Sequence, residues 1–390
     1  MNSSKQKILL FGPIGDFGGR ELEIGFIASV LSLRYDTAIC STGIVTGKSQ
    51  VFDFNKEQKV FQLKVILSKK FTALKLLAMF SFFKNGCKGR VSDFVNNALS
   101  KRYFDYDNKI KIVLDDLITN YDAVFIVAQL SSSLVNDVIQ IAKNKNKKVF
   151  FRTTGTITFS EYDFIDSVDC FIHHSVRNAN QIENRKHKYE IIDQCAYNET
   201  DLLSVSPSKR EIHNFLILSR LSEEKGIENA IDFFLKSCSE GDVLYVAGNG
   251  PLENSLKNKY KESNNIKFTG FIDRFQLSRL FESVDSLIIC SPEESGPLVG
   301  IEAMAAGKII ISTKVGAMGE RLENTLNQFW FNYNDLWSFK ETFAIVKLLN
   351  KEQIESVSLS IREKYSKEYS VNQISKKYLN IVNQGLSKYL

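Results

Sequence analysis

Residues 286–312 constrain the fold more than any other stretch. Ser286-Leu-Ile-Ile-Cys290 is an unbroken apolar run, short enough to be a strand buried on both faces. Ser291-Pro292 stops it, because proline has no N–H to give to a sheet ladder. From Leu298 to Ala306 the residues are good helix formers apart from one glycine. Gly307 fits the left-handed position after a helix, and Lys308-Ile-Ile-Ile-Ser312 starts another strand. The order is strand, polar loop, short helix, strand, which is a βαβ unit. Ligands of such units bind at the carboxyl end of the strand, where a helix amino terminus offers free N–H groups.

The same grammar recurs along the chain. Lys7-Ile-Leu-Leu-Phe11 reads as a strand, and a glycine-rich turn, Gly12 to Gly19, leads into a helix from Glu21 to Leu33 with apolar residues at Leu22, Ile24, Ile27 and Leu31. Further strands are expected at Thr37–Cys40, Asp122–Val127, Lys148–Arg152 and Asp169–His173. Ser131–Ser133 are expected to cap a helix running through Lys143, and Ser175 one running to about Asn184. After a polar, aperiodic segment from Cys195 to Pro207 the pattern restarts. It gives the strand Phe215–Ser219, the loop Arg220–Gly226, the helix Ile227–Lys236, the strand Val243–Ala247, the turn Gly248–Pro251, a strand from Ile266 to Ile272 and a helix from Phe275 to Phe281. Alternation of this kind indicates doubly wound parallel α/β sheets, and 390 residues exceed what one core usually holds. The expected domains are 1–195 and 205–368, with an amphipathic helix over about 370–390 closing the chain.

Composition narrows the setting. Hydrophobic residues at 44% and charged residues at 24% are those of a globular protein. No run of 18 apolar residues and no leader-like start is present, so neither a membrane span nor export is expected. Six cysteines without a Cys-x-x-Cys read as reduced core residues in a cytoplasmic protein. A net charge of +5 is too small to point to nucleic acid, but it is unevenly spread. Lys64 to Arg90 carries seven basic residues and no acidic one. Read as a helix, this stretch has one apolar face with Leu63, Ile66, Leu67, Phe71, Leu74 and Leu77, and a second with Leu76, Met79, Phe80 and Phe83. Either the second face and its lysines meet an anionic membrane surface or a lipid-linked substrate, or the helix is buried with snorkelling lysines, or it meets a partner protein.

Several side chains stand where ligands would bind. Glu294 lies in the loop after Cys290, and Glu302 in the helix that follows. Gly296 and Pro297 between them keep side chains clear of an approaching ligand. Either Glu302 offsets the helix dipole and Glu294 is solvated loop, or the two carboxylates face a ligand. Arg220 and Lys225 stand between a strand and a helix, where either they are surface charges beside neighbouring glutamates or both aim at a diphosphate. Asp105-Tyr-Asp107 forms an Asp-x-Asp, but in a polar, charged stretch with no strand before it, so it reads as surface.

Three motifs carry a family resemblance. The Glu294-x7-Glu302 spacing running into Glu302-Ala-Met-Ala-x-Gly307, the Arg220-Leu-x-x-x-Lys225-Gly226 loop and Gly18-Gly19-x-Glu21 together resemble family 4 glycosyltransferases. These are retaining enzymes of the GT-B fold, in which two Rossmann-like doubly wound domains face each other across a cleft. Ser219 stands where relatives usually have glycine. The resemblance implies transfer of a sugar from a nucleotide-sugar donor, UDP- or GDP-linked, to a glycan or lipid-linked acceptor in surface polysaccharide or glycolipid synthesis. No cofactor or metal is implied, and no nucleic acid.

By the same resemblance Glu302 holds the ribose hydroxyls and Glu294 contacts the donor sugar near its reacting carbon. Arg220 and Lys225 meet the diphosphate, with the backbone of Gly296, Pro297, Leu298 and Val299. Gly248 and the Gly270-Phe271-Ile272 turn flank the base. Gly18 and Gly19 approach the phosphates from the first domain, and the tail crosses back onto that domain. Many relatives carry a histidine in a strand-end loop of the first domain, where this chain has Arg152-Thr-Thr-Gly-Thr156. A catalytically silent GT-B scaffold or a GT-B sugar-nucleotide epimerase are the alternatives. The resemblance places the protein in the cytoplasm, with peripheral contact to the inner face of the membrane open.

Overall fold

The computed structural model describes residues 5–182 and 187–387. The first of its two sheets holds β1 (Lys7–Gly12), β2 (Asp36–Ser41), β3 (Val60–Gln62), β4 (Ala123–Ala128), β5 (Lys148–Thr153), β6 (Cys170–His173) and β7 (Tyr189–Ile191). The second holds β8 (Asn214–Leu218), β9 (Val243–Ala247), β10 (Ile266–Gly270), β11 (Ser286–Ile289), β12 (Ile309–Ser312) and β13 (Phe329–Trp330). Every recorded pairing is parallel, in the orders β3-β2-β1-β4-β5-β6-β7 and β10-β9-β8-β11-β12-β13. Each sheet reverses its strand order once, between β1 and β4 in the first and between β8 and β11 in the second. Open α/β sheets bind ligands at the carboxyl ends of the strands at such a reversal.

The sequence folds this way because the central strands are apolar on both faces. All six residues of β4 are buried, as are all four of β11 and of β12, so helices must cover both sides of each sheet. The chain divides into two compact units, Met1–His173 with Ala179–Ile192 and Ser375–Leu390, and His174–Asn178 with Asp193–Ile374. The closing helix, Val371–Ser387, has its residues from Ser375 onward in the first unit. There the Tyr378 ring lies 6.1 Å from Phe125, and a Cβ on Gly385 would stand 2.5 Å from the Phe150 ring.

The structure differs from the sequence reading at several points. Residues 63–84 are two helices, Leu63–Lys70 and Thr72–Lys84, because Phe71 between them is extended at φ −119°, ψ 102°. Leu63, Leu67, Leu74 and Ala78 face the core, whereas Leu76, Phe80 and Phe83 are each 63% exposed. The second apolar set therefore lies on the surface, which removes the buried-helix alternative. Ser131–Ser133 do not cap the next helix; Val135–Asn144 starts from Leu134 in a left-handed conformation, with no side-chain cap. Ser175 does accept from the Asn178 amide at 3.1 Å, but its helix is only Val176–Ala179. Part of the expected extension to about residue 184 lies outside the described residues. The segment expected to be aperiodic after Cys195 contains the helix Glu199–Ser204.

Candidate functional site

Two loops meet at the reversal point of the second sheet. One follows β8 and runs from Ser219 to Gly226; the other follows β11 and runs from Cys290 to Pro297. Gly226 is left-handed at φ 65°, and a Cβ there would stand 2.7 Å from the Cys290 carbonyl oxygen and 2.8 Å from the Tyr333 ring. The Cys290 thiol donates to the Lys225 carbonyl at 3.2 Å. This close approach puts the Lys225 ammonium onto the Glu294 carboxylate in a direct ion pair. Ser291 Oγ donates to the same Glu294 oxygen at 3.1 Å. Arg220 is exposed on the first loop, and its guanidinium makes no ion pair among the described residues.

The second loop delivers a helix amino terminus. Leu298–Ala306 starts from Pro297 in an extended conformation, φ −61°, ψ 116°, without a side-chain cap. The N–H groups of Leu298 and Val299 thus have no partner inside the helix and can receive an anion. Behind them stands Arg321, fully buried, which donates from Nη1 to the Pro297 carbonyl at 2.6 Å. Its other two nitrogens fork onto Asp193, Nε to Oδ2 and Nη2 to Oδ1, each at 2.7 Å. Burial works to raise the Asp193 carboxyl pKa. The charge and hydrogen bonds of Arg321, aided by His174, override it and hold the carboxyl well below the usual range. A Cβ on Gly296 would lie 2.9 Å from Arg321 Nη2 and 3.3 Å from the His174 ring, so this position has no room for a side chain. The neighbouring Ser295 hydroxyl is buried without a hydrogen-bond partner among the described residues.

Glu302 is the fifth residue of this helix and is buried, too far along for the dipole role. Burial pushes its carboxyl up to about 7, against the opposing pull of Arg321. Glycines close the surrounding loops onto one another. Gly248, at φ 124°, lets the loop after β9 pass so near Ser219 that a Cβ would be 1.9 Å from its carbonyl oxygen. Gly248 also donates to the Gly270 carbonyl at 2.8 Å. Gly270 is left-handed in open space, followed by exposed Phe271 and half-buried Ile272. Gly316, after β12, lies against the Glu294 and Ser295 carbonyl oxygens, 2.5 and 2.3 Å from where its Cβ would be.

Gly18 and Gly19 belong to the first unit, at the start of the helix Gly19–Ser32. Glu21 there folds back to accept from the Gly15 amide at 2.7 Å, and Arg20 Nε donates to Thr154 Oγ1 at 3.2 Å. Arg152 is fully buried and paired with Glu23 at 2.6 Å, so it holds the fold of the first unit together and is not a ligand group. His173 and Thr153 meet at 2.8 Å at the carboxyl ends of β6 and β5.

The second unit thus brings Glu294, Lys225, Gly296, Pro297, Leu298, Val299 and Glu302 together, with Arg220 on the adjoining loop. The sequence did not reveal Arg321, Asp193, His174 or Ser295. Arg321 lies in Gly319-Glu-Arg-Leu-Glu323, where flanking charges make it read as solvated.

Comparison with known proteins bears on the same region. Residues 204–364 match the family described as glycosyl transferases group 1. An uncharacterized glycosyltransferase of Methanocaldococcus jannaschii is 30% identical over 119 residues, 30% of this chain and 30% of that protein. Glycogen synthase of Mycobacterium tuberculosis is 31% identical over 114 residues, 28% of each chain. The matched stretches therefore span less than a third of those relatives' own lengths. Among solved structures, Anabaena HepE in complex with UDP and glucose superposes with a TM-score of 0.70 at 15% identity, over 97% of this chain and 99% of that one. That likeness is one of fold. Over residues 204–364, then, the chain is similar to the glycosyl transferases group 1, and its two parallel sheets have the GT-B fold.

Proposed function

We propose that the protein is a glycosyltransferase that takes a sugar from a UDP- or GDP-linked donor. The acceptor is a glycan or lipid-linked molecule in surface polysaccharide or glycolipid synthesis, and configuration is retained without a metal. The observation that carries this reading is the convergence of Lys225, Glu294 and the uncapped start of Leu298–Ala306 at the reversal point of the second sheet. The family match over 204–364 and the UDP and glucose bound to HepE support it.

The chemistry follows from charge. As the sugar–phosphate bond breaks, negative charge grows on the diphosphate and positive charge on the sugar ring. Arg220, Lys225 and the Leu298 and Val299 amides lie ready to take the negative charge, in a setting fixed before the reaction begins. Glu294 stands beside Lys225, where it can orient the sugar near the reacting carbon. Ionised Glu302 accepts from the ribose hydroxyls, and the leaving phosphate helps to deprotonate the acceptor. Gly248 and Gly270–Ile272 form the wall for the base.

The site of work is the inner face of a membrane. Among the described residues no helix is long and apolar enough to cross one. Leu76, Phe80 and Phe83, at i, i+4 and i+7 of one helix, expose an apolar stripe within a segment free of acidic residues. The test of the activity is a screen of nucleotide sugars for slow donor hydrolysis. Release of one nucleoside diphosphate is expected; no release from any UDP- or GDP-sugar, with or without acceptor extracts, would refute it.

A further inference from the structure

The first unit holds a cavity of about 310 Å³ at the carboxyl edge of its sheet, beside the β1/β4 reversal. Its walls come from separate elements. Thr42 follows β2, and Ser133 lies in the loop after β4. Lys64 sits in the first turn of Leu63–Lys70, and Lys101 in the helix Ala98–Tyr103. Tyr106 and Asp107 come from the first turn of Tyr106–Thr119. Asp107 belongs to the Asp-x-Asp stretch that the sequence reads as surface, and both aspartates of that stretch are exposed.

The charges in this cavity are unspent. Neither Lys64 nor Lys101 makes an ion pair or a side-chain hydrogen bond among the described residues, although other lysines of the same unit, Lys70, Lys111, Lys143, Lys145 and Lys148, do. Two ammonium groups lining one concavity repel each other and attract an anion. Around them Asn96, Ser133 and Asp107 offer donors and acceptors of the kind that bind hydroxyl groups, and Leu63 and Ile110 supply apolar lining. A volume near 300 Å³ is at the lower end of small-molecule sites and suits one sugar ring with a charged substituent.

We propose that this cavity binds a saccharide bearing a phosphate or a carboxylate, with Lys64 and Lys101 on the anionic group and Asp107 and Asn96 on ring hydroxyls. Resting on the function proposed above, this makes the acceptor an anionic sugar. The site itself stands on the first unit alone, so it can fail while the donor reading survives.

The test is calorimetric titration of the full chain with glucose 1-phosphate, galactose 1-phosphate, glucuronate, glucose and inorganic phosphate, and separately with UDP and GDP. At least one charged sugar is expected to bind more tightly than both glucose and inorganic phosphate. Lys64→Glu/Lys101→Glu should weaken that binding about tenfold or more, since both attractions become repulsions. Nucleoside diphosphate binding should keep its wild-type affinity. If circular dichroism shows the double reversal misfolded, Lys64→Gln/Lys101→Gln takes its place, with the same expected direction. Charged-sugar binding unchanged in the variant, or absent in the wild type, would overturn the proposal. Inorganic phosphate binding as tightly as the sugars would also overturn it, leaving an anion site without sugar recognition. No binding of UDP or GDP to wild type would instead count against the donor reading.

Discussion

Arg321 and Asp193, 128 positions apart in sequence, meet through two parallel 2.7 Å hydrogen bonds with both side chains buried. The third arm of Arg321 fixes the Pro297 carbonyl, and with it the peptide from which the helix Leu298–Ala306 begins. The pair therefore links a buried charge cluster to the orientation of the free N–H groups. Removing one partner leaves the other charge buried and unmatched. Asp193→Asn is expected to cost about 3–5 kcal/mol in urea unfolding. Arg321→Lys keeps the charge but loses the fork, so it should weaken nucleoside diphosphate binding more than nucleoside binding. Equal losses for both ligands would show that Arg321 serves the fold alone.

Glu302 is expected to make the candidate site sensitive to pH. Its folded pKa, about 7, is raised above the ordinary carboxylate value, so the folded state holds its proton more firmly than the unfolded chain does. This group's contribution to stability is therefore complete at acid pH. It is lost as pH rises from about 4.5 to about 7, which is about 3 kcal/mol at 1.36 kcal/mol per pH unit. Glu302→Gln should flatten that part of the stability profile and be more stable than wild type at pH 8. On the proposed role of Glu302, ligand affinity should run the other way, because ribose hydroxyls would donate to the ionised carboxylate. Diphosphate nucleoside binding should strengthen up to about pH 7 and then level off. A flat binding profile from pH 5 to 8 would remove Glu302 from the site.

Gly316 shapes the Glu294 loop from outside it. A methyl group there would press on two carbonyl oxygens, and the residue's φ of 48° already disfavours other side chains. Gly316→Ala should cost about 1–3 kcal/mol in stability and displace Glu294 from Lys225. Binding of nucleoside diphosphate should fall with it. Wild-type affinity in a stable Gly316→Ala variant would show that the loop position does not matter.

The apolar stripe predicts partition onto anionic vesicles. Replacing Leu76, Phe80 and Phe83 by serine should lower flotation with phosphatidylglycerol vesicles about a hundredfold or more, given roughly 1.5 kcal/mol or more per large apolar side chain immersed. Because each is 63% exposed, the unfolding midpoint should hardly move. Changing Lys69, Lys75 and Lys84 to Glu should abolish the salt-sensitive part of binding. Lys70 is left in place because it pairs with Asp116. Unchanged flotation in both variants would exclude the membrane role.

The fold was legible because its central strands are apolar on both faces and end at glycine or proline, as at Gly12, Gly248 and Pro292. Three edge strands were not seen: β3, β7 and β13 have only two or three residues each, half-buried or exposed, too few to show a period. The break at Phe71 was invisible because Ser68-Lys-Lys-Phe-Thr72 holds no glycine or proline. In the candidate site, the motif residues stood out through spacing and family resemblance: Glu294 with Glu302, Arg220 with Lys225. Arg321 and Asp193 did not, since each takes its meaning from a partner far along the chain.

The most direct measurement is calorimetric titration of UDP and GDP into the wild-type protein, Glu302→Ala and Arg220→Ala, with circular dichroism to establish folding. One diphosphate should bind the wild type, and each folded variant should bind it about tenfold or more weakly. No binding of either diphosphate to the wild type, or full affinity in both variants, would contradict the assignment of this site as the donor site.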